Sequence, residues 1–257
     1  VVSADTLYKV DSNYSSTTLG TLNTGTGLVS MASNGVFGDQ IIIVDGTDGY
    51  TYNSSTLAFA TISDAQFPAS PTKVTYMDSF FIVLNDGSGQ FNISLSNDGT
   101  SWDALDFANA ERKPDDTLSI ETLGRDIYFI GENTTEVWTN TGGRFPFEPY
   151  TNGVLEIGCI SGDTTAKTAS GIAFVAQTER GGLQVVGLSG TNYKKLSSTA
   201  IDYVLTGASF NNVSAFIFEQ DSHIFYQLNL PDLNLSYVCD LALAVEYPEI
   251  AWHTSTT

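Results

Sequence analysis

The side chains able to do chemistry are above all carboxylates: 257 residues carry 29 Asp and Glu against 10 Lys and Arg, with two His and two Cys. A glycosidase needs two carboxylates facing each other across a cleft, and an acid-rich chain leaves such a pair open on sequence alone. In Asp45-Gly46-Thr47-Asp48-Gly49 acids alternate with small residues as in a calcium loop. The turn supplies too few oxygen ligands, however, and lacks the terminal bidentate Glu of an EF-hand. A hairpin turn that needs positive φ explains it, and explains Asn85-Asp86-Gly87-Ser88-Gly89 equally. His223 and His253 stand apart from each other and from Cys159 and Cys239. Neither a metal-ligand spacing nor a catalytic triad is written in that pattern. No Gly-rich loop precedes a helix to cradle a phosphate. The reading is therefore no enzyme, no cofactor and no metal.

One turn carries a more specific pattern. Ser96-Asn97-Asp98-Gly99-Thr100-Ser101-Trp102 resembles the Asp-box turn of sialidase-like propellers, one residue short of the usual spacing. In that family the box is structural and recurs from blade to blade; here there is one copy. Sialidase chemistry would also need three arginines clamped on a carboxylate. The arginines are Arg112, Arg125, Arg144 and Arg180, none beside an evident Tyr–Glu nucleophile pair. Trp102, Trp138 and Trp252 could form ligand platforms, but packing inside blades is the expected use of such rings. Cys159 and Cys239 read as buried thiols of a protein made in a reducing cytosol. The Asn-x-Ser/Thr sites at Asn53, Asn92, Asn133 and Asn212 read as coincidence in a Ser/Thr-rich chain.

The net charge of −19 argues against free-standing nucleic-acid binding, which needs a basic face. Basic pairs occur only at Arg112-Lys113 and Lys194-Lys195. Two accounts of the acidity stay open: solubility alone, or an acidic wall past which DNA slides without sticking. No apolar run reaches membrane-spanning length, and no signal peptide is evident. A start at Val1 reads as a removed leader or as a piece of a longer protein.

The elements that must position these residues are strands. With 42% hydrophobic, 12% aromatic and only 15% charged residues, the composition suits many short strands with small polar turns. Apolar runs recur at Ile41–Val44, Phe80–Leu84, Ile127–Ile130, Ile172–Val175 and Ala215–Phe218. Their starts lie roughly 40 to 47 residues apart, the period of propeller blades. After each comes a turn and a second strand, so the pattern reads as a blade's inner hairpin written five times. Leu7–Val10 with Leu19–Leu22 makes a partial sixth copy. The expected fold is a single all-β propeller domain over 1–257 with six blades, five and seven remaining compatible; a sandwich would not need so regular a period. Residues 1–10 are expected to share a closing blade with 237–252, since closure removes exposed edges. Trp102–Glu111 departs from the pattern and is expected to hold a helical turn or a tight excursion. Ser198 should cap a short helix over 199–205, ended at Gly207. Pro68, Pro71 and Pro114 mark connections between blades.

The stretch from Ile127 to Cys159 adds a resemblance. Its residues Gly131-Glu132, Thr134-Thr135-Glu136-Val137-Trp138, Asn140, Gly142, Phe145-Pro146-Phe147, Gly153, Glu156 and Gly158-Cys159 are similar to the packaged-DNA stabilisation proteins of short-tailed phages. Asp98 to Ala108, with Trp102 and Asp106, matches the family's preceding segment, as Ser88–Phe91 matches the hairpin before that. Lys195–Asp202 resembles a segment in which the family usually has Arg, Thr, His and Glu where this chain has Lys195, Ser198, Thr199 and Asp202. Tyr237–Asp240 with Trp252-His253 fits the closing blade, with Ala244 to Ile250 as an insertion. The similarity spans about residues 40 to 253.

The resemblance implies a structural virion protein of a podovirus-type tail, assembled in the host bacterial cytoplasm. Such proteins form a hub ring, expected to be hexameric, between the portal adaptor and the tail needle or tailspike proteins. The ring retains packaged double-stranded DNA without binding it specifically, contacts no membrane, and opens for ejection. Arg144, Phe145 and Phe147 are candidate subunit contacts, with plugging of their own blade as the alternative for both Phe. A receptor- or glycan-binding propeller is the competing function.

Overall fold

The computed structural model describes residues 1–35, 38–110, 115–178 and 181–255. Expectations that rest on Glu111, Arg112, Lys113, Pro114 or Arg180 lie outside the described residues. The protein is all-β and its fold class is a six-bladed β-propeller. Six antiparallel sheets follow one another along the chain.

The first sheet has three strands, β1 (Val2–Ser3), β2 (Thr6–Val10) and β3 (Ser16–Thr21). The second contains β4 (Ser30–Ser33), β5 (Gln40–Val44), β6 (Gly49–Asn53) and β7 (Ala58–Thr61). The third contains β8 (Pro71–Met77), β9 (Phe80–Asn85), β10 (Gln90–Leu95) and β11 (Asp98–Asn109). In the fourth are β12 (Thr117–Leu123), β13 (Asp126–Gly131), β14 (Thr135–Asn140) and β15 (Phe147–Leu155). The fifth has five strands: β16 (Gly158–Cys159) and β17 (Ala166–Lys167), both paired with β18 (Ile172–Gln177), then β19 (Leu183–Ser189) and β20 (Asn192–Lys195). Helix α1 (Thr199–Thr206) leads to the sixth sheet, β21 (Ser214–Gln220), β22 (His223–Leu230), β23 (Leu235–Asp240) and β24 (Trp252–Ser255), with α2 (Leu241–Ala244) before β24.

The chain divides into two compact units. One comprises Val1–Glu111 with Asn140–Pro146, the other Arg112–Thr139 with Phe147–Thr257. In the first unit Ile42 and Val44 of β5 pack with Val74, Phe81, Val83 and Trp102, while Ile43 between them packs with Leu7, Leu22, Tyr50 and Tyr52. In the second unit Phe174 and Ala176 of β18 join Tyr128, Ile130 and Cys159, whereas Ala173 and Val175 join Tyr226, Leu228 and Cys239. Successive side chains on a strand point to opposite faces, and here both faces are buried. That is why these strands read as unbroken apolar runs rather than alternating ones.

Three expectations are corrected. The chain ends do not share a blade: β1 pairs with β2, and β24 pairs with β23 in the sixth sheet. Trp252–Ser255 supplies that sheet's fourth strand from adjacent chain, so none need be borrowed. Second, Ala215–Phe218 is not an inner hairpin strand but lies in β21, the first strand of its sheet, none of whose residues is buried. The repeat's second strands start at Gln40, Phe80, Asp126, Ile172 and His223. Third, Trp102–Asn109 is strand rather than helical turn. Asn92 pairs with Phe107 and Ser94 with Trp102, so the residues between form a wide bulge on β11, which keeps the alternative of an excursion. The helix forms as expected: Ser198 Oγ accepts from Ile201 N, and Gly207 closes it.

Candidate functional site

The β13–β14 hairpin is where the chain's recognisable residues meet. Tyr128 pairs with Val137 and Phe129 with Glu136, and the Trp138 ring sits edge-on to Phe129 at 5.6 Å. β14 reads Thr-Glu-Val-Trp-Thr-Asn, and neither face of its first four residues is wet: Thr135, Glu136, Val137 and Trp138 are all buried. A buried polar group is costly unless partnered. Thr135 Oγ1 donates to the Ile157 carbonyl at 2.7 Å, and Trp138 Nε1 donates to Glu136 Oε2 at 3.2 Å. Glu136 therefore anchors a tryptophan inside the blade.

The turn is tied by a residue that sequence reasoning missed. Asp115 accepts from Asn133 N, Asn133 Nδ2, Thr134 N and Thr134 Oγ1 at 2.7 to 3.1 Å. A Cβ on Gly131 would lie 2.5 Å from Asp115 Oδ2, and one on Gly158 would lie 2.4 Å from Gly131 O, Glu132 C and Asn133 N. Both glycines are thus required by close approach of backbone or carboxylate. With Asp115 and Asn133 18 positions apart, no local signal could reveal the cap.

The remaining signature residues divide by exposure. Pro146, Phe147 and Cys159 are buried; Glu132 and Glu156 are exposed; Asp106 is half-buried in the β11 bulge; Arg144, a candidate subunit contact outside the signature, is exposed. Of the candidate contacts, Phe147 is 1% exposed and so buried within the chain. Phe145 is half-buried and packs on Phe91 at 6.1 Å within the first unit. Asn140 Nδ2 donates to Asp78 Oδ2 at 2.9 Å in the same unit.

The Asp-box-like turn is equally structural. Asp98 accepts from Thr100 N, Thr100 Oγ1 and Ser101 Oγ, and Trp102 Nε1 donates to the Gly99 carbonyl. Gly99 N donates to Gln40 Oε1 and Trp102 N to Asp64 Oδ2, two partners from distant segments. Burial would raise the Asp98 pKa, but these donors hold it below its ordinary value. The Asp45 turn behaves alike: Asp45 Oδ1 accepts from Thr47 N and Asp48 N, and Oδ2 from Thr24 Oγ1 and Tyr50 Oη. Its pKa is also lowered, hydrogen bonds outweighing burial, while burial pushes the Tyr50 phenol up to about 12. Among the described residues no group of three or more His, Cys, Asp or Glu could hold a metal ion.

Cys159 and Cys239 are both buried thiols with no disulfide, and burial raises the Cys239 pKa. Trp102 and Trp138 are buried, and Trp252 is half-buried with Nε1 donating to the Leu196 carbonyl. His223 Nδ1 lies 2.6 Å from Asp240 Oδ2, and His253 is exposed. In the segment where family residues are replaced, Lys195 pairs with Asp202. Ser197 Oγ also donates to Asp202 Oδ1 at 2.5 Å. Lys195 and Asp202, two positions where the resemblance departs from the family's usual residues, are each other's partners.

A β-propeller whose signature residues serve its own turns and packing is the class that this geometry defines. The chain belongs to the phage family described as bacteriophage P22 Gp10, beta-propeller, whose model matches residues 1–255. It is a phage virion family that stabilises packaged DNA. No curated protein matches the sequence. Among solved structures, a chain of a nidogen/laminin complex is similar with a TM-score of 0.50 at 10% identity, covering 94% of this chain and 84% of that one. The dihydro-heme d1 dehydrogenase NirN is similar with a TM-score of 0.57 at 11% identity, covering 99% of this chain and 52% of that one. At such identities the likeness is one of fold alone. No helix among the described residues is long and apolar enough to cross a membrane.

Proposed function

We propose that the protein is a structural, non-enzymatic component of a short phage tail. Copies form a ring below the portal adaptor that retains packaged DNA and opens for ejection, and the tail needle or tailspike proteins are its neighbours. The observation that carries this reading is the family match along essentially the whole chain, residues 1–255. The use of Thr135, Glu136, Trp138 and Asp98 in packing and turns supports it, because the polar residues that could suggest a reaction already have structural partners. The net charge of −19 suits a part that DNA must slide past without adhering. Exposed Arg144 is assigned to the subunit contact.

The test is disruption of the gene followed by nuclease protection of the packaged genome. Heads that package and then leak DNA support the reading. Protected DNA with failed infection would replace it by receptor or glycan binding. Acid-to-lysine changes on a surface facing the DNA should slow ejection, and unchanged ejection would remove the charge argument. Arg144→Glu should weaken ring assembly, read by sedimentation.

A further inference from the structure

Identical copies that close into a ring head to tail each need two unlike patches, one that projects and one that receives. The first unit supplies a projection. On β11 Trp102 stands opposite Ser94 and Phe107 opposite Asn92, so residues 103–106 face a single residue, Ile93, and bulge out of the ladder. Asp103 Oδ1 accepts from Leu105 N at 2.9 Å, which fixes the bulge as a turn. Leu105 is 69% exposed there and Phe107 beside it 42%. β11 is the outer strand of its sheet, but a bulged, acid-bearing edge is a poor template for strand pairing. What it offers a partner is side chains: two apolar ones, with Asp103 and Asp106 on either side of Leu105.

The second unit supplies a hollow of about 700 Å³, between β18, β19 and β20 on one side and the start of β22 with α2 on the other. Its floor is closed. A Cβ on Gly187 would lie 3.0 Å from Leu196 Cδ1, and one on Gly171 would lie 3.0 Å from the Leu188 carbonyl oxygen. A floored hollow admits side-chain tips rather than a whole backbone element. Ile172, Leu188, Ile224, Leu241 and Val245 make it apolar, and Lys194 is its one charged lining residue. Successive residues of β20 point to opposite faces: Lys195 is bound to Asp202, whereas Lys194 has no ion-pair partner among the described residues. An apolar tip flanked by carboxylates is the complement of an apolar hollow holding one free cation. Asp221 and Glu246 stand exposed beside the hollow, and the projection brings a cation for them. That cation is Arg144, exposed in the loop whose Phe145 packs on Phe91 of β10, the strand paired with β11.

We propose that the β11 bulge of one copy seats in this hollow of the next, Leu105 and Phe107 against its apolar walls and Asp103 on Lys194. The contact rests on the tail-ring reading and names the surfaces that would join the copies. Sedimentation of the full chain over a range of concentrations tests it. Leu105→Lys spoils the projection, and Ala242→Trp fills the hollow from an exposed lining position. Each should sediment as a monomer where wild type assembles. An equimolar mixture of the two should form a 1:1 dimer and nothing larger, because one working projection and one working hollow remain in each pair. Val245→Lys takes the place of Ala242→Trp if the latter lowers the urea midpoint. Leu57→Lys, the same change at another exposed leucine of the first unit, should leave assembly unchanged. Asp103→Asn, which keeps an acceptor for Leu105 N, and Lys194→Gln should each weaken assembly several-fold and together no more than either alone. Wild type that assembles while the bulge or the hollow variants assemble equally well would overturn the contact and leave the ring standing. So would a mixture that stays monomeric. Wild type that is monomeric at every concentration would overturn the ring reading and the contact with it.

Discussion

Removal of the Asp115 carboxylate is the sharpest test of how the central hairpin is held. Four donors converge on it, and they differ in what they can do once it is gone. Asn133 is exposed, so its N–H and amide regain water; Thr134 is 6% exposed, so its N–H and hydroxyl are stranded. A buried donor left without a partner costs about 1 to 3 kcal/mol, which puts Asp115→Ala near 3 kcal/mol for the two Thr134 groups together. Asp115→Asn keeps one acceptor oxygen and should cost about half as much. Thr134→Val removes the hydroxyl, so the double-mutant cycle with Asp115→Ala should return a coupling of about 1 kcal/mol. Urea unfolding followed by tryptophan fluorescence and far-ultraviolet dichroism reads all four variants against wild type, with unchanged slopes confirming that only stability moved. A cost below about 0.5 kcal/mol for Asp115→Ala, or strict additivity in the cycle, would refute the reasoning.

Gly158→Ala places a methyl 2.4 Å from three backbone atoms of the same turn, none of which can rotate away. It should cost more than Asp115→Asn, about 3 kcal/mol or above, in the same urea assay. Asp45 has a lowered folded pKa, so its contribution is present above the ordinary aspartate value of 3.8 and is lost as pH falls through the folded value. Asp45→Asn should therefore flatten the acid limb of the stability profile below about pH 4, and an unaltered limb would contradict the assignment. At the substituted pair, Asp202→Ala strands the buried Ser197 hydroxyl and should cost about 1 to 2 kcal/mol. Lys195→Ala removes only a half-exposed ion pair and should cost under about 1 kcal/mol. The reverse order of urea midpoints would mean that the ion pair, not the hydroxyl, matters.

Four of the five apolar runs were legible as inner strands because each is buried on both faces, which concentrates β-branched and aromatic residues into unbroken stretches. The sixth sheet escaped that signal. Its second strand alternates, with Tyr226, Leu228 and Leu230 on the core face and Phe225, Gln227 and Asn229 on the other. The apolar run at Ala215–Phe218 lies instead in a strand with no buried residue, and apolar character without periodicity placed the blade one strand out of phase. The β11 bulge was illegible for a related reason: a bulge is a mismatch between two strands, and single-strand patterning records only one of them. The tethers that close the site, Asp115 to Thr134, Gln40 to Gly99 and Asp64 to Trp102, join residues 19 to 59 positions apart, and spacing within a motif is silent about such partners.

The division of the signature by burial bears on what it can mean. Gly131, Thr135, Glu136, Trp138 and Cys159 are held by close packing or by hydrogen bonds inside their own unit. Each would be required in any propeller built on this hairpin, whatever that propeller touched. Together they make one local solution: a buried carboxylate holding an indole, closed by a glycine pressed onto the turn. The signature carboxylates that packing leaves exposed are Glu132 and Glu156, in the turn of the hairpin and just after β15. A resemblance that extends to exposed residues needs a cause outside the monomer, since water tolerates nearly any polar side chain there. Glu132→Lys with stability unchanged and assembly lost would locate that cause at a neighbouring subunit. Stability and assembly both unchanged would leave the resemblance a record of the fold alone.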